Sequence, residues 1–129
     1  MILLHIAYIV CMIALLFGNS SPSAYKILDA DEVSELIDTS GKDLQIVDVR
    51  TPEEFKSEHI RSAVNVNVRD PNFAEQISMF KEDMPILAYC RSGARSESAA
   101  SILASKGFKQ VYSMKGGLST WKNAGYPVE

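Results

Sequence analysis

The sequence predicts an α/β domain built on a mainly parallel five-stranded sheet with helices on both faces. Three observations carry that expectation. Short apolar or β-branched runs alternate with stretches of helical spacing from residue 25 onward. Capping and stop signals fall at the junctions between them. Finally, a cysteine loop, Cys90 to Ser96, follows one apolar run and precedes an alanine-rich helical stretch. Parallel sheets place their sites at the carboxyl ends of strands, where this loop falls.

The elements follow in order. Residues 25–28 form the first strand. Asp29 or Asp31 caps a helix to about residue 38, with Val33, Leu36 and Ile37 as its apolar stripe. Residues 39–43 turn, and the β-branched run 44–49 is a strand. Thr51 is then an N-cap, Pro52 takes the first helical position and Glu54 completes a capping box. That short helix ends before His59, and 63–66 is a strand. Asp70 and Pro71 open a helix to about residue 80, with Phe73, Ile77 and Phe80 on one face. Residues 85–89 read as a buried strand. The helix after the cysteine loop, recognisable from Glu97 onward, runs to Lys106, with Gly107 as its stop. A last strand, 110–113, leads through a Gly116-Gly117 turn to a helical stretch around Trp121.

Composition bounds the function. At 129 residues, with 47% hydrophobic and 22% charged content, the chain suits one globular domain. A net charge of −3 gives no case for nucleic acid as a partner. The two cysteines and two histidines have no zinc-ligand spacing, so neither a metal nor another cofactor is expected.

From Met1 to Tyr25 there is no Asp, Glu, Lys or Arg, and the apolar run 1–17 gives way to a small, polar break. Residues 1–24 are therefore expected to be a signal peptide, or an N-terminal anchor, plus a linker, ahead of a domain over 25–129. The expected location is periplasmic or secreted. Membrane attachment is expected only if the segment stays uncleaved, since about 20 apolar residues are needed to span. Cys11 lies in this run, so no Cys11–Cys90 disulfide is expected.

The loop Cys90-Arg91-Ser92-Gly93-Ala94-Arg95-Ser96 carries the chemistry. Loop and first-turn amides pointing at the sulfur favour its anion, and flanking Arg91 and Arg95 favour it further. The thiolate is the nucleophile. Gly93 allows a close approach of backbone to ligand. Cys90 to Arg95 spans C-x4-R, one residue shorter than the C-x5-R loop that wraps a phosphate. A smaller ring suits a single sulfur. A second cysteine for disulfide exchange is lacking in the domain.

Three blocks in order resemble the single-domain rhodaneses, the thiosulfate sulfurtransferases. They are Asp48-Val49-Arg50-Thr51-Pro52-Glu53-Glu54-Phe55 continuing through His59 to Val66, then the Cys90 to Ser96 loop, then Gly116 to Trp121 with Ala124 to Val128. Glu58, Arg61-Ser62 and Ala94 depart from the usual pattern. The resemblance implies a three-layer rhodanese-like domain and sulfur transfer through a Cys90 persulfide. The donor is thiosulfate or a related small molecule, and the acceptor is cyanide or a thiol. Arg91, Ser92, Gly93, Ala94, Arg95 and Ser96 are the substrate-binding candidates. Arg91 and Arg95 are left open between gripping the anion and fixing the loop. Asp48 and Arg50 support the site as an ion pair, and His59 is structural. The expected assembly is a monomer or weak dimer. Two other readings stand beside it: a non-catalytic persulfide carrier or interaction module, and a phosphatase or arsenate reductase on the same scaffold.

Overall fold

The computed structural model describes residues 25–129. The expected signal peptide or anchor and linker, 1–24, lie outside the described residues. The elements are β1 (Lys26–Leu28), α1 (Ala30–Ser40), β2 (Gln45–Asp48), α2 (Pro52–Ser57), β3 (Val64–Asn65), α3 (Phe73–Gln76), β4 (Ile86–Tyr89), α4 (Ala94–Ser105), β5 (Val111–Met114) and α5 (Gly117–Asn123). Single 3-10 turns follow α1 and α3, at Gly41–Asp43 and Ile77–Met79. The five strands pair in the order β1-β5-β4-β2-β3, and every pairing is parallel.

Strand alternation builds the three layers. Along β4 and just past it, Ile86, Ala88 and Cys90 face one apolar cluster with Phe73, Ile77, Ala99 and Leu103. Leu87 and Tyr89 face the other, with Val33, Ile60, Leu118 and Trp121. Helices α3 and α4 therefore cover one face, and α1 and α5 the other. All four residues of β4 are buried on both faces, as a central parallel strand requires.

Asp29 is the α1 cap, and with Glu32 it forms a full capping box. A clear departure lies at 70–80. The expected single helix is instead four residues of α3 followed by a 3-10 turn. Asp70 explains the late start: its Oδ1 accepts from Asn72 N at 2.8 Å, holding a turn until Phe73. Phe73 and Ile77 fill the core, whereas Phe80 is only partly buried and Met79 is exposed. With only two buried anchors one turn apart, nothing extends the helix.

The capping box at α2 forms as the sequence predicts. Thr51 Oγ1 accepts from Glu54 N at 3.3 Å, and Glu54 Oε1 accepts from Thr51 N at 3.4 Å. Thr51→Ala should lower the unfolding free energy by about 1 kcal/mol. Urea unfolding checks this as a lower midpoint with an unchanged slope.

Candidate active site

Cys90 directly follows β4, and its residue exposure is 1%. The chain then turns back over the sulfur. Gly93, at φ +111°, makes that turn possible and caps α4. Its amide donates to Cys90 Sγ at 3.0 Å, and the amides of Ser92 and Ser96 also favour the sulfur anion. The helix begins at Ala94, earlier than the spacing from Glu97 indicated. Glu97 N donating to Gly93 O at 3.1 Å closes its first turn. Arg95 and Ser96 are thus helical residues, and the helix N-terminus addresses the thiol directly.

Turning amides inward leaves carbonyls that need donors elsewhere. The N-terminus of α5 supplies them: Leu118 N donates to Cys90 O at 2.8 Å and Ser119 N to Arg91 O at 3.1 Å. Gly117 permits this contact. A Cβ there would lie 2.3 Å from Cys90 O.

The thiol environment has a definite balance. Burial pushes the Cys90 thiol up, but the Ser96 hydroxyl and the amides of Ser96, Gly93 and Ser92 favour the anion and prevail. Its pKa falls below the ordinary value. Hydrogen bonds, more than the neighbouring arginines, hold the thiolate.

The two loop arginines part company. Arg95 forks onto Glu54, with Nη1 to Oε1 at 2.8 Å and Nη2 to Oε2 at 3.1 Å. This bidentate pair ties the loop to α2. Of the two roles the sequence left open for Arg95, fixing the loop is the one this pair serves. The Arg95 hydrogen bonds bring the Glu54 carboxyl down to about 2. The Glu54 bonds in turn raise Arg95, and the Cys90 charge adds to that. Arg91, by contrast, is exposed. It borders an open cleft of ≈ 450 Å³ with Arg50, Glu54, Leu118 and Lys122. Ser92 and Ala94 are exposed, and Ser96 is fully buried.

Asp48 and Arg50 form the expected ion pair, at 2.7 Å and almost entirely buried. Removing one partner from such a pair costs about 3–5 kcal/mol. Arg50 Nη2 also donates to Glu58 O at 2.7 Å, while Glu58 Oε1 receives Lys122 Nζ at 2.6 Å. His59 is structural, stacked on Phe55 with its Nδ1 2.9 Å from Phe55 O. Trp121 is core, 4% exposed, and its Nε1 donates to Pro127 O.

Several supporting residues escaped the sequence. Asn65 Nδ2 donates to both Asp48 O and Arg50 O, at 3.0 and 2.9 Å, pinning the turn after β2. Tyr89 Oη accepts from Ile60 N at 3.0 Å, and burial raises its hydroxyl pKa. Ser113, on β5, lies 2.8 Å from Ser96 Oγ. Only Glu54 had a local signal, its capping-box position. The others are made by pairings distant in sequence.

The chain is similar to known proteins over most of its length. The Rhodanese-like domain family matches residues 29–124. A thiosulfate sulfurtransferase GlpE from Shewanella oneidensis is 36% identical over 102 residues, covering 79% of this chain and 97% of that protein. The Coxiella burnetii protein of the same name is 36% identical over 98 residues, covering 76% of this chain and 88% of its own. Among solved structures, a rhodanese-related protein from Thermoplasma volcanium superposes with a TM-score of 0.71 at 26% identity, covering 81% of this chain and 98% of that one. The strand-end cysteine, its ring of amides and the α5 cradle thus sit within a match that spans most of the chain, and the chain belongs to the rhodanese-like domain family.

Proposed function

We propose that the protein is a thiosulfate sulfurtransferase working through a Cys90 persulfide. One observation carries the reading: a buried thiol at the end of β4, already biased toward its anion by the Ser96 hydroxyl and three loop amides. The names of the GlpE relatives support thiosulfate as donor.

Two half-reactions follow. The Cys90 thiolate attacks the outer sulfur of thiosulfate, the S–S bond breaks and sulfite leaves with its electron pair. The new Cys90 persulfide carries the transferred sulfur as its terminal atom. Cyanide or a thiolate then attacks that atom, takes it away and regenerates the Cys90 thiolate. This is covalent catalysis with ping-pong kinetics. A thiol biased toward its anion lessens the need for a general base, which fits a histidine, His59, engaged by Phe55. Inward amides stabilise the sulfur anion in each step, at about 1.5–3 kcal/mol per charge-assisted hydrogen bond. Arg91, exposed at the cleft, attracts the anionic donor. The uncharged apolar run at 1–17 supports a domain located outside the cytoplasm, released by cleavage or held on an anchor.

Cys90→Ser should abolish thiosulfate:cyanide transfer and the one-sulfur mass gain after thiosulfate treatment. Turnover retained by that variant overturns the assignment, whereas mass gain by the wild type without turnover marks a carrier. Arg91→Ala should raise the thiosulfate KM about tenfold, a loss of the order of one exposed charge contact, while the melting temperature stays unchanged. Steady-state kinetics beside a thermal melt separates the two.

The Glu54–Arg95 pair gives a pH prediction. The Glu54 carboxyl sits at about 2 when folded, against 4.5 for the ordinary group. Its contribution is therefore fully present above pH 4.5 and is lost as pH falls through about 2. Wild type should lose melting temperature between those limits more steeply than Glu54→Gln, as read by melts across the acid range.

A further inference from the structure

Behind the Cys90 sulfur, the Ser96 hydroxyl has a buried neighbour, Ser113, that the mechanism does not use. Ser96 Oγ stands 3.6 Å from Cys90 Sγ, 3.0 Å from Gly93 O and 2.8 Å from Ser113 Oγ. Ser96 is 0% exposed and Ser113 is 1% exposed, and each hydroxyl has a protein partner within hydrogen-bond reach. A hydroxyl has one proton and two lone pairs. The Ser96 proton therefore has three acceptors within reach and can serve only one at a time.

We propose that Ser113 is a positioning residue that turns the Ser96 proton onto the Cys90 thiolate. With Cys90 protonated, the thiol donates to Ser96 Oγ and Ser96 donates to Gly93 O. When the thiol proton is lost to solvent, the sulfur becomes an acceptor and the Ser96 proton swings to it. Two features make that swing inexpensive. Gly93 O retains the amide of Glu97, at 3.1 Å, so it is not orphaned. Ser113 donates to the Ser96 oxygen and replaces the hydrogen bond that the thiol had supplied. The chain Ser113 to Ser96 to sulfur then runs in one direction, and each bond polarises the next. The lowered thiol pKa, to which the Ser96 hydroxyl contributes, accords with this arrangement.

The placement is specific. Ser113 belongs to β5 and Ser96 to α4, with Cys90 following β4. The β4·β5 ladder aligns Ala88 with Ser113, two residues ahead of the cysteine. Successive β5 residues alternate faces, so Ser113 lies on the α4 side while Tyr112 and Met114 pack in the opposite cluster. A hydroxyl in that layer, which is otherwise lined by Ala88, Ala99 and Val111, is an expensive choice unless it has a polar duty.

The inference rests on Cys90 being the sulfur-carrying nucleophile, and its test is separable from that reading. Full-length wild type, Ser113→Ala and Ser113→Thr are alkylated with iodoacetamide across pH 5 to 10. The rate is read by mass spectrometry of the Cys90 peptide, which excludes Cys11. Ser113→Ala should move the alkylation midpoint up by about one pH unit, equivalent to about tenfold less thiolate well below the midpoint. Sulfur loading from thiosulfate should fall by the same factor near neutral pH and recover in alkali. Ser113→Thr keeps the hydroxyl and should restore the wild-type midpoint, and a thermal melt of each variant identifies any loss of fold. An unmoved midpoint in folded Ser113→Ala, or in a Ser96→Ala control, overturns the proposal. A shifted midpoint in a protein whose wild type loads no sulfur upholds the proton relay and instead overturns the sulfur-transfer reading.

Discussion

The site depends on how two carbonyls are satisfied. A backbone that turns its amides onto one sulfur must turn its C=O groups the other way, and these lie at the end of a central, buried strand. The α5 N-terminus takes both, Cys90 O through Leu118 N and Arg91 O through Ser119 N. Free amides at a helix N-terminus are the natural partners for stray carbonyls. The approach is closed to any residue with a Cβ at 117, since that atom would meet Cys90 O at 2.3 Å. One helix end thus completes the hydrogen bonding of the loop, and another, that of α4, faces the thiol. The sulfur sits between two sets of donors held by opposite layers of the domain.

Charges arrange themselves around that frame in two tiers. Asp48 and Arg50 are buried and bonded to one another and to backbone, so they act as a rigid wall. Glu54 and Arg95 form a partly exposed clasp between α2 and the first turn of α4. Both pairs neutralise themselves. Arg91 is the loop cation left facing the cleft. Charge complementarity at such a mouth governs encounter with anions more than it governs thiolate stability. On the proposed mechanism, the division separates the attraction of a donor from the activation of the nucleophile.

Much of this was legible in the amino-acid order because it is local. Cys90 at a strand end, Gly93 at the turn, the Thr51-Pro52-Glu54 capping signal and the Asp48–Arg50 pair all involve residues within a few positions of each other. The fold class followed from the same alternation of runs. What escaped was set by tertiary pairing. Asn65 reaches Asp48 and Arg50 because β3 lies beside β2, and Ser113 reaches Ser96 because β5 lies beside β4. The partner of Arg95 depended on where α2 docks. The start of α4 was placed late because Arg95 and Ser96 resemble loop residues by composition, although hydrogen bonding makes them helical. At 70–80 the apolar spacing was right, but the Asx turn of Asp70 delayed the helix.

The depth of the sulfur has a further consequence. A disulfide needs its two Cβ atoms about 3.8 Å apart. Cys90 is 1% exposed, under a loop whose carbonyls are held by α5. A second protein chain has no room to bring its own cysteine that close while the loop keeps its shape. Linking two copies of this domain through Cys90 would therefore require the loop to move. Girth is what such depth selects on: a slender reagent, such as a small anion ending in one sulfur, reaches the nucleophile more readily than a folded protein does.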